Sequence, residues 1–148
     1  MTYTALPQFQ AAVITILRLD DVFMALVTGV FDEVPATPRY PHVIVDDPFE
    51  TPDRTFGQNG HSCSLTLSIF TQSPSTKKLG AGKGGFGPGL EIAESALALL
   101  SDVERAPITI DGHDVVDCDV LSIDCSREAD GLTRRIDVTL IALLEDAP

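Results

Sequence analysis

The stretch HSCSLTLSIFT, residues 61–71, decides the architecture. His61, Cys63, Leu65, Leu67 and Ile69 alternate with Ser62, Ser64, Thr66 and Ser68. A period of two marks a strand with one buried and one wet face, and one-sided burial belongs to antiparallel sheets. Such a sheet needs cover on its Leu65 side, and the neighbouring segments supply it.

Downstream, the ten residues GAGKGGFGPG (80–89), six of them glycine, run into LEIAESALALL. There Leu90, Ala93, Leu97 and Leu100, flanked by Ile92, Ala96 and Leu99, form a broad apolar helix face ending near Asp102. Upstream, Pro7 suits a first helical turn. Phe9, Ala12, Val13, Ile16 and Leu17 then recur at three- and four-residue steps, which predicts an amphipathic helix over 7–18. Asp20 can cap a second helix in DVFMALVTG, with Gly29 ending it in the left-handed region. Pro35, Pro38 and Pro41 exclude helix, and YPHVIVDD (40–47) reads as a first strand beside Pro41. The turn chemistry of PFETPDRTFGQNG (48–60) predicts an exposed loop.

Two Asp-Gly pairs organise the C-terminal third. Asp111-Gly112 in PITIDGHDVV predicts a hairpin with a type I′ turn, and Asp130-Gly131 marks a second. Between them the apolar positions change parity: Val116, Cys118 and Val120 are even, Leu121, Ile123 and Cys125 odd. One extra residue near Val120, a β-bulge, reconciles them and turns both cysteines inward. Seven residues of strand hold those thiols about 20 Å apart, too far to bond. The last strand faces Ile136, Val138, Leu140, Ala142 and Leu144 inward. Ile141 and Leu143 point the other way, as does Phe70, and are candidate subunit-interface residues. The element order is α+β: an antiparallel sheet of about four main strands plus a β-hairpin, with helices packed on one face. The 148 residues suffice for a single domain, 1–148, with a flexible glycine-rich loop at about 74–89.

Ten Lys and Arg against 22 Asp and Glu give a net charge of −12, which opposes broad contact with phosphate backbones. The longest apolar run, Ala11 to Leu17, is far shorter than a bilayer span, and MTYTALPQFQ lacks the charge that opens a secretory signal. Cys63, Cys118 and Cys125 lack CxxC spacing and read as reduced, buried thiols.

The glycine stretch formally contains Gly80-x-Gly82-x-x-Gly85, yet it matches again at Gly82, Gly84 and Gly87. A dinucleotide fingerprint must also turn directly from a parallel strand into a helix, whereas QSPSTKKL intervenes here. Lys83 lacks the following Ser or Thr of a P-loop. No cofactor site is therefore assigned. Lys77, Lys78 and Lys83, with Phe86, make this loop a candidate contact with a partner or a lumen. His42, His61 and His113 lack zinc-site spacing. His61 and Cys63 share a strand face, and Cys118 or Cys125 could complete a metal site with them, but the ordinary reading is a strand without metal. GHSCS departs from a nucleophile elbow at Ser64. Asp117 and Asp119 share one strand face and could pair as acid and base or hold a cation, though solvated carboxylates are the ordinary case. No catalytic residue is assigned.

The proline-spaced FDEVPATPRYPHVIVDD (31–47), the strand HSCSLTLSIFTQS (61–73) and APITIDGHDVVDCDVLSIDCSREADGLTRRIDVTLIAL (106–143) together resemble the tail-terminator or tail-completion proteins of long-tailed phages and gene transfer agents. The likeness runs from about Leu6 to Leu144. It implies a structural, non-enzymatic protein, usually a hexameric ring. Such a ring caps the tail tube, ends its polymerisation, meets a head-side connector or stopper, and lets DNA pass through its lumen. It also implies assembly in the host cytoplasm followed by residence in the neck or tail of a particle. An acidic lumen that does not hold DNA fits the charge. The glycine loop looks like an insertion relative to that family. Two alternatives stay open: another neck or head-completion component, and a small-ligand-binding domain using the loop.

Overall fold

The computed structural model describes residues 3–53, 60–72, 85–101 and 108–147. Among these residues three helices, α1 (Leu6–Leu19), α2 (Asp21–Met24) and α3 (Gly87–Leu100), accompany five strands. The strands are β1 (Val30–Phe31), β2 (His42–Asp53), β3 (Gly60–Gln72), β4 (His113–Arg127) and β5 (Thr133–Asp146). They form one sheet of order β1-β2-β3-β5-β4, antiparallel except for the short β1–β2 pairing. The helices contact one another and one face of the sheet. The predicted α+β architecture is thus the one observed.

The alternation in residues 61–71 does what its period requires. Cys63, Leu65, Leu67 and Ile69 are buried beside Ile136, Val138, Leu140, Ala142 and Leu144 of β5. Phe9, Val13 and Leu17 of α1, and Ile92, Ala93, Ala96 and Leu100 of α3, close the core above them. Leu90, placed on the apolar face by periodicity, is 41% exposed, while Gly89 takes the buried position one residue earlier. The end of the glycine stretch is therefore helix: Gly87, Pro88 and Gly89 make the first turn of α3. Gly89 lies against β5, where an added Cβ would meet Ile136 Cδ1 at 2.5 Å.

Several boundaries depart from expectation. Asp20 caps α2 as predicted, accepting the Phe23 N–H at 2.8 Å, but the helix ends at Met24 and Gly29 has no positive φ. Tertiary pairing takes over there. The Thr28 N–H donates to the Pro41 carbonyl and the Val43 N–H to the Gly29 carbonyl, drawing this segment into a strand. Instead of a loop from Pro48, β2 continues to Asp53, because a bulge between Asp46 and Phe49 accommodates Pro48 with Asp47 at φ 51°. At Asp111-Gly112 only the glycine has positive φ, so the turn is not type I′. Pairing across it, among the described residues, is the Ile110–His113 bridge.

The predicted bulge in β4 is present between Val120 and Ser122, and a second lies between Val115 and Asp117. Their extra residues, Leu121 and Val116, are both exposed. Register places Cys118 opposite Ala142 and Cys125 opposite Ile136, on the core side of the sheet. Yet Cys118 is only half-buried and Cys125 is exposed, because β4 is an edge strand that the helices cover incompletely. All three cysteines are free thiols.

Candidate functional site

The core-facing rows of β2, β3, β4 and β5 end in polar residues rather than apolar ones. Odd positions of β3 face the core, which turns His61 inward, and even positions of β5 do so, which turns Asp146 inward. The two bulges supply the other members. On β2, Val43 and Val45 face the core before the bulge. The extra residue then shifts parity so that Glu50, paired with Cys63, faces inward. On β4 the first bulge similarly places His113 and Val115 on the core side with Cys118. Each inserted residue re-aims one ionisable group.

The result is a compact cluster. His61 Nε2 lies 2.9 Å from Asp146 Oδ1, and His113 Nε2 lies 3.2 Å from the same oxygen. The two imidazoles meet edge to face, their centroids 5.6 Å apart. His61 Nδ1 is 3.5 Å from Glu50 Oε2, and His113 Nδ1 is 3.0 Å from the Asp111 carbonyl. Both histidines are 6% exposed.

Glu50 joins this cluster to the helix layer. Its Oε1 accepts the Ala5 N–H at 2.7 Å, the Cys63 thiol at 3.3 Å and the Thr4 hydroxyl at 3.3 Å. Ala5, the N-cap of α1, has no capping side chain of its own, so a carboxylate from β2 satisfies its N–H at the positive end of the helix dipole. Burial pushes the Glu50 carboxyl upward. The Ala5 and Cys63 donors and His61 outweigh it and hold the group below its ordinary value. The Cys63 thiol is pushed strongly upward by burial and by Glu50, so it stays protonated and donates.

The metal reading that paired His61 and Cys63 with Cys118 or Cys125 is corrected by this geometry. Cys63 and Cys118 flank Ala142 in one row, two strand spacings or about 10 Å apart. Cys63 is bonded to Glu50, and His61 instead meets His113 and Asp146. Asp117 and Asp119 do share the outer face, opposite Leu143 and Ile141, and both are exposed.

Of the candidate contact residues, Lys77, Lys78 and Lys83 lie outside the described residues. Phe86 is the N-cap of α3 and packs against the core. Ile141 and Leu143 stand together, half-buried, between Ser64 and Ser62 on β3 and Asp119 and Asp117 on β4. Phe70 is on the same face but opposite Arg135, six residues or about 20 Å along β5 from Ile141. It stacks on His42 at 5.1 Å, and Arg135, bonded to Asp137, lies over its ring at 5.4 Å.

A three-helix layer on one face of a mixed sheet in this strand order defines an α+β domain. A chain in the virion of a native gene transfer agent (GTA) particle superposes with a TM-score of 0.74 at 26% identity, over 97% of this chain and 99% of that one. The chain belongs to the family Tail completion protein gp17, which it matches over residues 11–145. Its role is structural, in completing a phage or phage-like tail. The bacteriophage SPP1 gp17 protein shares the fold, with a TM-score of 0.58 and 16% identity over 93% of this chain and 89% of that one. No curated protein matches the chain. Among the described residues no helix is long and apolar enough to cross a membrane.

Proposed function

We propose that the protein assembles into a ring, of six copies as the family resemblance implies, that sits on the end of the tail tube. The ring stops tube polymerisation and presents the surface that joins the head-side connector. Family membership carries this reading. The outer sheet face supports it: Ile141 and Leu143 form an apolar pair rimmed by Ser62, Ser64, Asp117 and Asp119, the arrangement of an interface core with a polar edge. The net charge of −12 suits a wall along which DNA slides without being held. Lys77, Lys78 and Lys83 are proposed to contact the neighbouring subunit, the tube or the DNA. The protein acts by contact, with no catalytic step.

Sedimentation and negative-stain microscopy of the purified chain, alone and with tail tube protein, test the proposal. Rings alone or on tube ends are expected, and particles lacking the protein should carry overlong or headless tails. A strict monomer in both conditions, together with normal tails in its absence, overturns it.

A further inference from the structure

We propose that His61, His113 and Asp146 bind a divalent transition-metal ion of the zinc class, which fastens the ends of β3, β4 and β5 together. The arrangement of possible ligand atoms carries the inference. The Asp111 carbonyl can only accept, so His113 places an N–H on Nδ1 and turns its Nε2 toward Asp146 Oδ1, 3.2 Å away. A proton or a metal ion between those two atoms would satisfy both.

His61 has a carboxylate on each side, Glu50 at Nδ1 and Asp146 at Nε2. A dication here would offset the charge of the two carboxylates and take the imidazoles as neutral ligands, the form in which histidine binds metals.

Geometry favours the metal. The three ligand atoms all lie within 4.8 Å of one another. A tetrahedral ion with bonds of about 2.0–2.1 Å separates its ligands by about 3.3 Å, close to the 2.9 and 3.2 Å found between the Nε2 atoms and Asp146 Oδ1. Each ligating ring is also oriented through Nδ1, by Glu50 and by the Asp111 carbonyl, as outer-shell partners orient metal-bound histidines. Two imidazoles and one carboxylate suit zinc-like ions over calcium, and they leave a fourth position for water or another donor.

The test uses the full chain after dialysis against a chelator. Zn²⁺ titrated by calorimetry should bind one ion per chain. Co²⁺ should give the visible absorption of a four-coordinate N/O site, and Ca²⁺ should give neither. Zinc at about 100 times its Kd should raise the Tm by about 5–10 °C. His113→Asn and His61→Gln should each weaken binding at least tenfold, while Cys118→Ser leaves it unchanged. Absence of stoichiometric zinc uptake by the wild-type chain overturns the proposal, as does unchanged affinity in both histidine variants. Should those variants fail to fold, the wild-type Co²⁺ spectrum decides: octahedral, water-like absorption refutes the site.

Discussion

The close approach of α3 to the sheet can be tested through one contact. A Cβ at Gly89 would sit 2.5 Å from Ile136 Cδ1, 3.3 Å from its Cγ1 and 3.5 Å from Thr71 Cγ2. Ordinary carbon contacts are about 3.5–4.0 Å, so Gly89→Ala demands roughly an ångström of movement. Ile136 is 1% exposed and has little room to yield. Overpacking of this kind costs about 1–3 kcal/mol, against at most about 1 kcal/mol gained by replacing glycine within a helix. A net loss near 1 kcal/mol is expected. Ile136→Val alone should cost about 0.5–1.5 kcal/mol, but it removes the Cδ1 atom that blocks the alanine. In that background Gly89→Ala should be neutral or stabilising, giving a coupling of about 1–2 kcal/mol in a double-mutant cycle. Urea melts at one fixed protein concentration, with unchanged m-values, measure it. Additivity within about 0.5 kcal/mol would refute the contact and, with it, the view that the glycine stretch ends in a packing element.

The remaining expectations concern charge, thiols and assembly. Glu50 has a folded pKa below its unfolded value. Its contribution is therefore present above about pH 4.3 and lost as pH falls through the folded pKa, and Glu50→Gln should shrink that acid-side slope in pH-dependent denaturation. Burial lowers His42 against the opposing Arg39 carbonyl, so stability should likewise drop as pH falls below about 6.5, with His42→Gln flattening the change between pH 7 and 5. In the unassembled chain at pH 8, Ellman's reagent should modify exposed Cys125 quickly. It should modify Cys118 slowly, since burial and the charges of Asp117 and Asp119 push that thiol up to about 11, and Cys63 only on unfolding. Ile141→Asp with Leu143→Asp should leave the circular dichroism spectrum unchanged and abolish ring assembly; intact rings would remove this face from the interface.

What the sequence made legible and what it concealed separate along one physical line. Unbroken periodicity was readable: α1 from Phe9, Val13 and Leu17, β3 from Cys63 to Ile69, and β5 from Ile136 to Leu144 all follow a fixed step. Parity changes were readable only where apolar residues marked both sides, as around Val120 and Leu121. At Asp47-Pro48 the residues beyond the bulge are polar or turn-forming, so a continuing strand looks like a loop and Glu50 looks like a surface carboxylate. At Val116 an apolar residue occupies the extra position, which hides the shift that turns His113 inward. The His61, His113, Asp146 and Glu50 cluster was invisible for that reason. Its members are 96 residues apart at the extremes, and two of the four, Glu50 and His113, face the core only because one inserted residue in each of their strands reverses the alternation. Deleting Val116 would test this directly. If Val116 is the extra residue, its loss makes the strand regular, Val115 stays opposite Leu144, His113 stays on the core side, and the metal affinity proposed for the cluster is kept. A tenfold fall in affinity would instead mean that Val116 is not the residue that sets the parity.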